Sequence, residues 1–243
     1  MDAGGAAFLA GMTKVEPNVG PVESDTAALA ALTGEIVACR ACPRLVAWRE
    51  QVAVDKRAAF RDDDYWGKPV PGFGDPEAAV LLLGLAPAAH GANRTGRVFT
   101  GDRSGDFLFA ALHRVGLANQ PTSVAVDDGL RLTGAWISAA VRCAPPANAP
   151  TPAERDACRP FLVRELAALR HLRVVVCLGA FGYDAACAVL GVRPRPRFGH
   201  GAEVAAPGGL RLLCSFHPSQ QNTFTRRLTP EMLDSVLTRS VLK

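Results

Sequence analysis

Four of the seven cysteines fall into two pairs that could close on one centre. They are Cys39-x-x-Cys42, and Cys143 with Cys158, which have fourteen residues between them. Four thiolates suit a tetrahedral zinc ion or an iron–sulfur cluster, and spacing alone does not separate the two. Prolines stand beside both pairs, in Cys39-Arg40-Ala41-Cys42-Pro43 and in Val141-Arg142-Cys143-Ala144-Pro145-Pro146; the first pair is expected at a helix end, Cys143 at the close of a strand and Cys158 on the helix behind it. The other three, Cys177, Cys187 and Cys214, lie inside apolar patterns and read as small core residues.

A second chemistry is suggested by the stretch from Leu83 to Asp102, LGLAPAAHGANRTGRVFTGD. It leaves an apolar run with the glycines of a ligand loop, yet its first half carries no acid. It has neither a GK[ST] ending nor GxGxxG spacing, so it is no phosphate cradle of those kinds. Far along the chain, Phe216-His217-Pro218-Ser219 also follows an apolar run.

The elements that must position these residues can be read from pattern. Ser24 is expected to cap a helix through about Ala38 with Leu29, Leu32 and Ile36 on one face, and a second helix is expected from Leu45 to Ala59. Residues 61–76 hold turn formers without a period and predict a loop. Strands are predicted at Ala79–Gly84, Ala135–Arg142, Val174–Gly179 and Leu210–Ser215, and helices from Ser104 and from the capping box Thr151-Pro152-Ala153-Glu154. Alternating strands and helices give an α/β fold, a mostly parallel sheet with helices on both faces. Ligands of such sheets sit beyond the carboxyl ends of the strands. Both the Gly84–Asp102 loop and the His217 loop start there, so the two can converge.

Composition bounds the rest. At 243 residues and 49% hydrophobic content, the chain can bury one sizeable core, and the expected division is a leader over 1–23 followed by one catalytic domain over 24–243. The formal charge of +4 divides unevenly: residues 1–141 carry 13 Lys/Arg against 16 Asp/Glu, and residues 142–243 carry 14 against 7. A net +7 in the second part predicts a basic face turned to an anionic partner such as nucleic acid. No apolar run reaches the roughly 20 residues of a membrane-spanning helix, and the start lacks the basic charge of a signal peptide. A cytosolic, monomeric protein is expected, associated with the nucleoid when acting.

The combination of these residues resembles the iron–sulfur uracil-DNA glycosylases of bacteria and archaea, and within them the B-type, family 5. The carriers are Gly84-Leu85-Ala86-Pro87-Ala88, Asn93-Arg94-Thr95-Gly96-Arg97-Val98-Phe99-Thr100-Gly101-Asp102, the paired cysteines and His217-Pro218-Ser219, in that family's order from Cys39 to Asn222. The resemblance implies a three-layer α/β/α fold around a four-stranded, mostly parallel sheet. It also implies a structural [4Fe–4S] cluster on Cys39, Cys42, Cys143 and Cys158, and excision of uracil and related deaminated or oxidised bases from DNA. Related glycosylases carry an Asn just before the third cysteine where this chain has Ala139, so a tolerant pocket that also takes hypoxanthine or ethenocytosine is expected. The competing readings are an A-type enzyme of narrow uracil specificity and a non-catalytic, zinc-containing DNA-binding module.

Roles follow for individual residues. Such an enzyme flips its target nucleotide out of the duplex, and here Phe99 is expected to stack on the base while Ala86, Pro87 and Ala88 line its edge. The glycosidic bond can break dissociatively, so His217 is expected to stabilise the charge that develops on the leaving base. The Ala-Pro-Ala wall offers no acid or amide to hold water, which leaves Asn93 and His90 as the nearest polar candidates and Asp102 as a third, and of these Asn93 is expected to orient the water. Arg193, Arg195, Arg197, Arg226 and Arg227 are expected on DNA phosphates. Gln220, Gln221, Asn222 and Phe224 lie where the family's loop probes the duplex.

Overall fold

The computed structural model describes residues 25–242, so the expected leader and the Ser24 cap lie outside the described residues. The first helix, α1 (Thr26–Ala38), is capped by Asp25, whose Oδ1 accepts from the Ala28 amide at 2.8 Å. Helix α2 runs over Pro43–Asp55, earlier than expected at both ends, because Pro43 starts a helix well, and a short 3₁₀ turn follows at Ala58–Phe60.

Four mainly apolar runs form the parallel centre of the sheet: β2 (Val80–Gly84), β3 (Ala135–Ala139), β4 (Val174–Leu178) and β6 (Arg211–Ser215). These are the four expected strands, but the sheet has six, in the order β1-β3-β2-β4-β6-β5. Antiparallel edges are added by β1 (Phe73–Gly74), inside the expected 61–76 loop, and by β5 (Glu203–Ala205). Two or three residues are too few to display a strand period. Strand β3 stops short of Arg142, although the Ala140 and Val141 amides still bond to Gly84 and Leu85. Beyond it, the buried Arg142 side chain pairs with Glu165 at 2.6 Å.

Successive residues along each strand face opposite layers. Leu82, Ile137, Val176 and Leu213 pack toward α4 (Arg103–Arg114) and α8 (Pro230–Val241). Leu81, Leu83, Val175 and Leu212 pack on the other side with α1, α5 (Pro152–Ala168) and α6 (Ala180–Leu190). Cys177, Cys187 and Cys214 belong to this second core, as their apolar surroundings predicted. The result is the expected three layers. Among the described residues, no helix is long and apolar enough to cross a membrane.

Candidate active site and cysteine centre

Two loops from the carboxyl ends of β2 and β6 meet. Their junction encloses a cavity of about 420 Å³, walled by Leu85, Ala86 and Ala88 after β2, by Val98, Phe99, Asp102 and Ser104 before and on α4, and by Ala139 at the end of β3. His217, Ser219 and Gln221 close it from the β6 side, and Ala147 and Asn148 from the Pro-rich turn after Cys143.

Phe99 and His217 pack ring against ring in this cavity, centroids 5.7 Å apart and planes tilted by 34°. Phe99 adopts the left-handed backbone conformation (φ +55°) that a bulky residue rarely takes. The carbonyl behind it packs so closely on Gly105 that a Cβ there would stand 1.8 Å from the oxygen. On its other side, a Cβ at Gly84 would meet the ring at 2.9 Å, so both glycines are needed to seat this phenylalanine.

The loop is stitched by its own arginines. Arg94 donates to Asp63 and to the carbonyls of His90 and Gly101, and Arg97, also buried, donates to Thr100, Ser123 and Asp128. Burial works to raise the Asp128 carboxyl, but Arg97 and three backbone amides outweigh it and hold it at about 2.

His217 is positioned from below and behind. Asn222 donates through Nδ2 to the His217 carbonyl at 2.8 Å, Ser219 caps the short helix α7 (Gln220–Phe224), and the Phe216 ring stacks on His200. Burial pushes the His217 imidazole down to about 4, so it is neutral near pH 7.

An acid is present after all. Asp102 lines the cavity as its one carboxylate, and it caps α4 by accepting from the Gly105 amide at 2.9 Å. Its second oxygen approaches Gly91 so closely that any Cβ there would sit 2.1 Å away. Burial raises its carboxyl above the ordinary range, against the pull of the Gly105 and Ser104 amides. Asn148, in the left-handed conformation at φ +54°, faces both the cavity and the cleft beside it.

Several expected site residues stand elsewhere. Asn93 is fully buried in the helical turn α3 (Ala92–Thr95), and its amide is spent on the Arg49 carbonyl at 3.2 Å, so it cannot hold water in the cavity. Pro87 is buried off the wall. His90 bonds to the Tyr65 hydroxyl at 3.0 Å and lines the neighbouring cleft. Asn222 secures the His217 loop and is not free to enter a duplex. Arg193 and Arg197 border a different cleft, beside β5, and Arg195 between them pairs with Asp184 at 3.1 Å. Gln220 and Gln221 stay exposed beside the cavity, as do Arg226 and Arg227 further along.

The neighbouring cleft, about 840 Å³, shares Ala88, Asp102 and Asn148 with the cavity and adds Arg57, Arg94 and Arg103. These cations come from the part of the chain with net negative charge, so the division of charge along the sequence does not map onto the surface. The exposed Phe224 ring lies under the Arg103 guanidinium at 5.5 Å.

Behind the Ala86 wall lies the cysteine centre. Cys39 ends α1, Cys42 caps α2, Cys143 follows β3 and Cys158 lies on α5. Leu45, Val141, Ala86 and Phe181 enclose it. The thiols are electrostatic neighbours: Cys39 acts on Cys42, Cys143 and Cys158 alike. Buried Arg49 donates to the Cys143 sulfur at 3.0 Å, and its Nε is left without a partner. Among the described residues, no three His, Cys, Asp or Glu side chains converge closely enough for a single metal ion. A tetrahedral zinc with bonds of about 2.3 Å would need such convergence. Two buried and two partly buried thiols set wider apart around one space, with an unsatisfied cationic donor beside them, fit a larger anionic cluster.

Comparison with known proteins agrees with the geometry. The family model described as the uracil DNA glycosylase superfamily matches residues 71–239. A Type-5 uracil-DNA glycosylase of Mycobacterium tuberculosis is 59% identical over 84% of this chain and 78% of its own length. Another Type-5 enzyme, from Thermus thermophilus, is 56% identical over 83% of this chain and 92% of its own. A Type-4 uracil-DNA glycosylase of Archaeoglobus fulgidus reaches 34% over 46% of this chain and 49% of its own.

Proposed function

Because the chain belongs to the uracil DNA glycosylase superfamily, we propose that its cavity receives a base flipped from DNA and that the protein hydrolyses the N-glycosidic bond of uracil in base-excision repair. The single observation that carries this reading is the packed Phe99–His217 ring pair inside a cavity at the carboxyl ends of the strands. A non-catalytic binding module has no use for a histidine seated there.

Phe99 stacks on the base, and the small Ala86, Ala88 and Ala139 let its edge approach the backbone. Ala139 supplies no side-chain amide to select uracil, so hypoxanthine and ethenocytosine also enter. The bond from the sugar C1′ to the base nitrogen breaks with its electron pair going to the base. Neutral His217 donates an N–H to the base oxygen where that charge collects, and water then bonds to the cationic C1′ and gives up a proton. Asp102, with Asn148 across the cavity, holds that water and accepts the proton. The adjoining cleft of Arg57, Arg94 and Arg103 carries the DNA backbone past the cavity, which makes binding salt-dependent.

Cys39, Cys42, Cys143 and Cys158 hold a [4Fe–4S] cluster, whose part is to tie α1, α2, α5 and the turn after β3 together behind the Ala86 wall. Arg49 offers its N–H groups to that centre.

The test of the function is alkali-revealed strand cleavage of duplexes that carry one U·G or one hypoxanthine·T pair. Both are expected to be cleaved. Cleavage of U·G alone would return the narrow-specificity reading, and cleavage of neither would sink the enzyme.

The role of Asp102 has its own test. Asn keeps the helix cap but cannot take a proton, so Asp102→Asn is expected to slow the single-turnover rate about 10²-fold with little change in melting temperature. The wild-type rate should fall as pH drops through the raised Asp102 pKa, and the variant should lack that limb. An unchanged rate would remove Asp102 from the mechanism.

A further inference from the structure

The edge of the sheet farthest from β1 is bare. Strand β5 pairs only with β6, and two ladder bonds bracket the pairing: the Cys214 amide to Ala202 at 2.9 Å and the Ala206 amide to Leu210 at 2.8 Å. Backbone groups alternate sides along an antiparallel strand. Ala202, Val204 and Ala206 therefore turn theirs to β6, and the N–H and C=O of Glu203 and Ala205 point the other way.

Beside this strand runs Gly191-Val192-Arg193-Pro194-Arg195-Pro196-Arg197, and an open cleft of about 460 Å³ is lined by both. The run is held in place from behind, where the Tyr183 hydroxyl donates to the Pro196 carbonyl at 2.8 Å. The one acid on the cleft, Glu203, is already neutralised by Arg211 at 3.2 Å and Arg239 at 2.7 Å. Arg193 and Arg197 are exposed and make no hydrogen bond or ion pair among the described residues.

We propose that this cleft is a docking surface for an extended acidic segment of a partner protein, which adds to β5 as a further strand and pairs its carboxylates with Arg193 and Arg197. A strand edge is a template for another backbone, and a free guanidinium pairs well with a carboxylate. DNA fits the place less well, because the outward carbonyls of β5 alternate with the amides and repel phosphate. The cleft also shares no wall residue with the base cavity or with the arginine cleft beside it. Charges that merely protected the edge would stand on β5 itself. Here the charge on β5, Glu203, is already paired, and the unpaired charges, Arg193 and Arg197, stand on the facing wall.

The experiment uses the full chain and a fluorescein-labelled heptapeptide of alternating Asp and Val, followed by anisotropy. Saturable binding is expected, weakened about tenfold in the R193E/R197E variant and about tenfold when alternate peptide nitrogens are methylated, while uracil release by the variant stays at the wild-type rate. Absence of saturable binding, or equal binding by the variant, overturns the proposal. Indifference to N-methylation would reduce it to surface charge and overturn strand addition. Loss of affinity for undamaged duplex in R193E/R197E would make the run a DNA contact and overturn the protein partner.

Discussion

Replacing His217 by alanine is expected to slow uracil release about 100- to 1000-fold in single turnover, with DNA affinity nearly unchanged. A preorganised donor aimed at developing charge in a dry site contributes on that scale, and the His217 ring packs against Phe99 from the β6 side of this cavity. Glutamine keeps an N–H donor of similar reach, so His217→Gln should recover part of the loss. A rate in His217→Ala within threefold of wild type would mean that the leaving base is stabilised by backbone amides instead.

The protonation state of His217 sharpens this expectation. With its imidazole pushed down to about 4, it acts as a neutral donor, so the rate should show no step near pH 6.5. Stability follows the same shift. Between about pH 6.5 and 4 the unfolded chain binds a proton at this residue and the folded chain does not, so folding weakens as pH falls through that window. The full effect is on the order of 3 kcal/mol. In His217→Gln that part of the acid sensitivity should vanish, which urea denaturation at pH 7 and pH 4.5 would measure.

How far the molecule was legible in its sequence varies by feature. The four parallel strands were legible because they are almost wholly buried on both faces and read as short, mainly apolar runs, VLLLG, AWISA, VVVCL and RLLCS. The edges β1 and β5 were hidden, since Phe73–Gly74 and Glu203–Ala205 are too short for any period. Phe99 and His217 could be paired in advance because both follow strands of one parallel sheet, and such loops share one end of it.

Failures came where a side chain's direction decides its role. Asn93 looks like a polar loop residue, but the α3 turn rotates it inward onto the Arg49 carbonyl. Asp102 looks like a helix cap and is one, yet the same side chain also forms part of the cavity wall. Asn148 gave no signal, because nothing in Pro145-Pro146-Ala147-Asn148 announces two successive residues with positive φ. The arginines of the 193–197 run were misplaced for a topological reason. The run returns from the far end of α6, along the edge of the sheet rather than across the mouth of the cavity.

The cysteine centre carries the largest expected effect on stability. Cys143→Ser should abolish the absorbance band near 400 nm, remove iron from the purified protein, and lower the melting temperature by about 10 °C or more, if soluble protein is obtained at all. Three segments distant in sequence meet there: the α1–α2 turn, the turn after β3 and the middle of α5. Few apolar contacts replace the missing link: among the described residues, Leu45 and Val141 are the fully buried aliphatic residues packed with the thiols. Losing a link of several kcal/mol shifts a chain of this size by roughly that many degrees. Cys177→Ala, in the second core, supplies the contrast, because it removes one small buried sulfur and should cost about 1 kcal/mol with iron and colour retained. Zinc in place of iron, or a colour that survives Cys143→Ser, would sink the assignment. Base release should weaken along with iron content, because Ala86 stands on both walls and the cavity is only as rigid as the centre behind it.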